Sequence, residues 1–136
     1  MKLSWIEKRN SEKSYKIKTI YKKFVDIPKG SRMLIASPPI IDEYVQSIPY
    51  CNFVEPVKMR DDLAKNYQAD KTCPVTAGIF LRVVSEVSYE EYDNGIDLNV
   101  ITPFWRMVNP NSKLAGKLAC GIDFIVERHN QENIVL

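Results

Sequence analysis

Apolar residues recur at helical spacing along most of this chain. Ile40, Ile41, Tyr44, Val45 and Ile48 form one such stripe. Ser37 and Pro38 stand ahead of it, a capping residue followed by a proline whose missing N–H is not needed in a first turn. Pro49 stops this helix, and Tyr50 to Glu55 reads as a connector with a brief extended piece at Phe53 and Val54. A second helix is predicted from Pro56 to about Tyr67, with Val57, Leu63 and Ala64 inward and Met59 and Tyr67 in partial contact. Gln68 to Cys73 links it to a long helix that starts at Pro74 and ends near Asp93, Asn94 and Gly95. Its apolar ridges are Val75, Ile79, Phe80, Val83, Val84 and Val87. So many β-branched residues lower helix propensity, and Ile79 to Val87 taken alone also reads as a strand. The upstream proline and the polar spacing favour helix. A last helix, Ile122 to Glu132, is expected to bury Ile122, Ile125 and Val126 and to leave His129 at the surface or an edge, with Ile134 to Leu136 folding back on the core.

The remaining segments are less periodic. Ile17, Ile20, Tyr21 and Phe24 fit a short amphipathic helix, preceded by a loosely attached stretch from Arg9 to Ser14. Ile27 to Ser31 contains proline and glycine and closes this region, and the core begins at Met33. Ile96 to Ile101 reads as a loop, Thr102 to Pro110 as an aromatic loop held by proline at both ends, and Lys113 to Gly121 as turn-rich. The expected fold is mainly α: a compact helical domain with a winged-helix-like helix-turn-helix over residues 33–136, preceded by a basic N-terminal arm over 1–32.

Charge adds an asymmetry that periodicity does not show. Met1 to Arg32 holds ten lysines and arginines against three acidic residues, a net of +7, which leaves −5 for the remainder. Affinity for nucleic acid would lean on the first segment, because phosphate neutralisation drives it, while the acidic remainder opposes it. At 136 residues the chain is one domain in size. It has no apolar run long enough to span a bilayer and no signal-like start, so a cytoplasmic location is expected, nucleoid-associated if DNA is bound. Cys51, Cys73 and Cys120 are an odd number at wide spacing and are expected to be reduced, at least partly buried thiols, with neither a disulfide framework nor a metal site.

The helix pair carries the first candidate chemistry. A recognition helix must bring its leading turn close to base edges, and here that turn offers Thr72, Thr76, Ala77 and Gly78. Lys71 is placed for a phosphate contact, and Arg82 lies further along. Glu86, Glu90 and Glu91 read as a solvated helix face rather than a hydrolytic dyad, and Gly116 to Gly121 lacks the lysine and hydroxyl ending of a phosphate loop. No cofactor is called for.

Four segments in this order carry a family resemblance: Ile48-Pro49-Tyr50, Asp62-Leu63-Ala64, the Pro-x-x-Arg-x-Val loop from Thr102 to Asn109, and Ile122 to Asn133. Over Met33 to Asn133 the chain resembles the C-terminal domain of the alkylguanine DNA alkyltransferases and their non-enzymatic alkyltransferase-like relatives. In that family the loop reads Pro-Cys-His-Arg-Val-Val. Here Pro103 and Arg106 match, while Phe104 stands at the nucleophilic cysteine and Trp105 at the histidine. A phenyl ring cannot accept an alkyl group as a thiolate does, so the resemblance implies a protein that is not an enzyme. It implies binding of double-stranded DNA, suited to alkylated or distorted sites, with Pro103, Phe104 and Trp105 in a pocket or loop and Arg106 on phosphate or holding the loop. Val75, Thr76 and Ala77 stand where the family carries the arginine that fills the duplex. The other function open to this sequence is a protein-interaction or regulatory domain, with the basic arm meeting an acidic protein partner.

Overall fold

The computed structural model describes residues 4–11 and 14–136, without the side chain of Ser11. About half of the chain is helical, with one small three-stranded sheet. The helices are α1 (Trp5–Ser11), α2 (Pro38–Gln46), α3 (Pro56–Asn66), α4 (Pro74–Asp93), α5 (Lys113–Lys117) and α6 (Ile122–Gln131). The strands are β1 (Lys16–Thr19), β2 (Arg32–Ile35) and β3 (Lys71–Thr72), and a 3₁₀ turn spans Phe104–Arg106.

Prolines set the start of three helices as the sequence predicts, at Pro38, Pro56 and Pro74. Ser37 occupies the cap position of α2 yet makes no capping bond, and its hydroxyl is buried without a partner among the described residues. Pro38 and Pro39 have removed the N–H groups of the first two helical positions. Residues 79–87 are helical, so the strand reading of that segment falls. Gly95 ends α4 at φ +103°, and the Ile96 N–H returns to the Glu91 carbonyl at 2.9 Å.

The basic N-terminal segment is part of the fold rather than an arm. Residues 16–19 form a strand, not a helix, because Tyr15, Ile17 and Thr19 alternate with Lys16 and Lys18. β1 pairs antiparallel with β2, and β2 pairs parallel with β3. Arg9 to Ser11 are helical instead of loose, while residues 12 and 13 of that expected stretch lie outside the described residues. A reciprocal cap holds this helix: the Ser4 N–H donates to Glu7 Oε1 and the Glu7 N–H to Ser4 Oγ, both at 3.1 Å. Ser4-Trp5-Ile6-Glu7 carried that signal in the sequence. Residues 113–117, read as turns, form α5, with Ser112 Oγ accepting from the Ala115 N–H.

Two apolar cores lie along α4. Leu34, Ile41, Val45, Met59, Leu63, Ala77, Leu81, Val84 and Met107 belong to the first. Phe104, Trp105, Val108, Leu118 and Ile125 belong to the second, with Tyr89 and Phe124 against it. Helix phase departs from expectation in three places. Met59 is buried and Val57 exposed on α3; Ala77 and Leu81 are buried while Val75 and Ile79 are exposed on α4; Ile125 is buried while Ile122 and Val126 are exposed on α6. Each helix had more apolar residues than one buried face holds, and only the neighbouring elements select which stripe goes inside.

Leu34 is fully buried on the sheet face that meets the helices. Leu34→Ala is expected to lower stability by about 2–5 kcal/mol, read as a fall in the urea midpoint at unchanged slope.

Candidate nucleic-acid interface

Strand register fixes which lysines share a surface. Lys18, Met33 and Lys71 lie side by side across the three strands, and Lys16 lies beside Ile35. Directly paired residues and those two apart point to one face, so Lys16, Lys18 and Lys71 flank Met33 and Ile35. Ile20 and Ile27 fold over Met33 and Cys73 to make a small apolar cluster there. The covering loop adds Lys22, Lys23 and Lys29, all exposed, with Asp26 among them. On the other face Leu34 meets the helices, and Tyr15 packs on Tyr67 with ring centroids 4.5 Å apart. Lys71 lies just ahead of α4, so the lysine face borders the start of that helix.

The other expected contact residues are placed differently. Thr72 is 4% exposed, and its hydroxyl donates to the Arg60 carbonyl at 2.7 Å. The Thr76 hydroxyl is covered and makes no hydrogen bond among the described residues, so it presents nothing to a base edge. Arg82 leans back along α4: Nε is 3.6 Å from Glu86 Oε2, and Nη2 donates to the Lys117 carbonyl at 3.4 Å. Glu86 itself is buried and accepts from the Ala119 N–H at 3.1 Å, contrary to its reading as a solvated residue. The α3–α4 link covers residues 67–73 and contains β3, longer than the ~3–4-residue turn of a helix-turn-helix.

The aromatic loop turns inward. Phe104 is 0% exposed, edge-on to Trp105 at 5.4 Å and stacked on Phe124 at 6.0 Å, so it is part of the core. Trp105 is buried too, and its Nε1–H donates to Glu132 Oε2 at 2.6 Å. Arg106 holds the loop and is not free for phosphate. Its Nε and Nη2 donate to the two Glu132 oxygens at 2.8 and 3.1 Å, and Nη1 donates to the Ile48 carbonyl at 2.8 Å. Pro103 and Trp105, with Tyr50, Arg106 and Arg128, border a polar recess of about 370 Å³.

Glu132 and His129 are the residues that the sequence reading missed. Ile125, His129 and Glu132 follow one another at helical spacing on the buried side of α6. That stripe is visible in the sequence, which puts His129 at the surface or an edge and gives Glu132 no role beyond the helix end. The Trp105 carbonyl lies 2.6 Å from His129 Nε2, and since a carbonyl only accepts, that nitrogen carries the proton. Glu132 Oε1 also accepts from the Cys51 N–H at 3.2 Å. Cys51 is exposed, against expectation, and has φ +71°, a left-handed conformation that favours glycine. Burial pushes the Cys120 thiol up to about 11, with the Glu86 charge adding to the effect, so at neutral pH it is a protonated thiol.

Burial alone would raise the Glu132 pKa, but hydrogen bonds from Arg106, Trp105 and Cys51 outweigh it and hold the carboxyl below its ordinary value of 4.5. The unfolded state therefore binds its proton first as pH falls. The stabilisation is complete above the ordinary value and is lost as pH drops through the lower native one. Glu132→Gln is expected to cost about 3 kcal/mol at neutral pH, since it leaves Arg106 without its buried counter-charge. Urea unfolding at a series of pH values should show the gap to wild type closing below pH 4.5; a constant gap would mean that the carboxylate charge does not hold the loop.

Comparison of the chain with protein-family models, with curated proteins and with solved structures finds no match, and what the site does rests on its own residues.

Proposed function

We propose that this is a non-enzymatic double-stranded-DNA-binding protein that grips the phosphate backbone through the lysine face of its sheet. One observation carries the reading: the register that sets Lys16, Lys18 and Lys71 on a single surface beside the start of α4. Lysine side chains neutralise phosphates and release counterions without reading sequence. Lys22, Lys23 and Lys29 widen that surface. In this reading β1 and β2 serve as the wing of a winged-helix-like unit, with α3, β3 and α4 as its helical part. The protein recognises the shape and charge of the duplex rather than an extruded base, since Phe104 and Trp105 are engaged in the core. No step of alkyl transfer is assigned, since a phenyl ring occupies the position of the nucleophile that the resemblance implies.

Fluorescence anisotropy with a short duplex at several salt concentrations tests this. The logarithm of affinity should fall linearly with the logarithm of salt, and replacing Lys16, Lys18 and Lys71 together by glutamine should reduce that slope by about 3. Salt-insensitive binding, or a slope unchanged in the triple variant, overturns the proposal and leaves the lysine face to an acidic protein partner. Thr72→Val separates fold from contact. It removes a second hydrogen bond from the Arg60 carbonyl, which keeps its place in the α3 ladder, so stability should fall by about 0.5–1.5 kcal/mol while duplex affinity of the folded variant stays the same.

A further inference from the structure

A groove of about 570 Å³ runs between α1, α4 and α5. Trp5, Ile79, Leu81 and Leu114 give it apolar walls, and Lys8, Arg82 and Lys117 give it cations. No aspartate or glutamate is among its lining residues within the described part of the chain. Glu55 lines a cavity that shares Pro56 and Leu114 with the groove, Glu86 pairs with Arg82, and Glu7 stands next to Lys8 in α1. Lys8 Nζ lies 4.3 Å and Arg82 Cζ 5.1 Å from the Trp5 ring centroid, so two of the cations converge on one apolar plate. Arg82 Nε makes no hydrogen bond among the described residues. Ile79 is 54% exposed here, in the middle of the longest helix.

Gly78 is the second observation. A glycine inside a helix is destabilising relative to alanine, and proteins keep one where a special dihedral or a close approach demands it. Neither demand comes from this fold. Gly78 is absent from the positive-φ glycines, and a Cβ built on it meets no heavy atom within 4 Å. The missing side chain leaves open a strip of groove wall that none of the described residues fills.

We infer that the groove between α1, α4 and α5 binds a single-chain amphipathic carboxylate of the fatty-acid class, its chain lying over Gly78 between Trp5 and Leu114 and its carboxylate held by Lys8, Arg82 and Lys117. Apolar walls receive the chain by burial of its methylene groups, and the cations supply charge-assisted hydrogen bonds to the head. The volume falls in the range of small-molecule sites, roughly 300–1,000 Å³. A phosphate backbone does not match this groove, because its walls are largely hydrocarbon. The site is separate from the lysine face, and binding here neither requires nor excludes DNA there.

Isothermal titration with decanoate, decanol and decyltrimethylammonium tests the assignment, using full-length protein. Decanoate should bind saturably at one site, more tightly than decanol, while the cationic amphiphile should not bind. Gly78→Ala should raise Tm, since its Cβ meets no protein atom, and weaken decanoate severalfold, since the methyl group stands where the bound chain lies. Gly78→Phe, checked for folding by circular dichroism, should weaken decanoate by about tenfold or more because its ring occupies the groove. Lys8→Glu combined with Lys117→Glu should weaken it by about tenfold with little change in decanol binding. Absence of saturable decanoate binding, equal affinity in Gly78→Phe, or equal binding of the cationic amphiphile would overturn the inference.

Discussion

The carboxylate of Glu132 ties together three parts of the chain that are far apart in sequence. It accepts from Trp105 and Arg106 in the aromatic loop and from the backbone of Cys51 in the connector after α2. Arg106 extends the network to the Ile48 carbonyl, and His129, one turn earlier on α6, fixes the Trp105 carbonyl. A buried charge is tolerated only when its counter-charge and hydrogen bonds replace the lost water. Glu132 and Arg106 meet that condition for each other. These bonds hold the loop with Phe104 and Trp105 inside.

That constraint explains why the loop is structural here. An arginine that binds both oxygens of one carboxylate and a main-chain carbonyl is held in place, and a ring with no exposed surface meets no ligand. The two proposed roles rest on other surfaces. One is the lysine face made by strand pairing, and the other is the groove beside α4.

The groove arises from the way α4 is shared. Ala77, Leu81 and Val84 pack into the first core, with Tyr89 at the second. Such a helix is covered on most sides, yet its first half keeps Val75, Gly78 and Ile79 open to solvent. α1 packs on α4, and its Trp5 supplies one wall of the groove. Its short helix stands because Ser4 and Glu7 satisfy each other's backbone donors. The segment that reads in sequence as a basic N-terminal arm thus contributes to both surfaces.

Local sequence determined the helices. Proline at the first position, apolar spacing and the Asn94-Gly95 stop act within a few residues, and they placed α2, α3, α4 and α6 close to their observed bounds. The lysine alternation around Ile17 and the Ser4 to Glu7 cap were equally local, and were legible though overlooked. Tertiary structure alone decided which stripe of each helix is buried, that Thr72 serves the Arg60 carbonyl, and that Arg106 finds Glu132 rather than phosphate. Backbone preference is set by adjacent residues, whereas the partner of a polar group and the covered face of a helix depend on segments brought together only when the chain has folded.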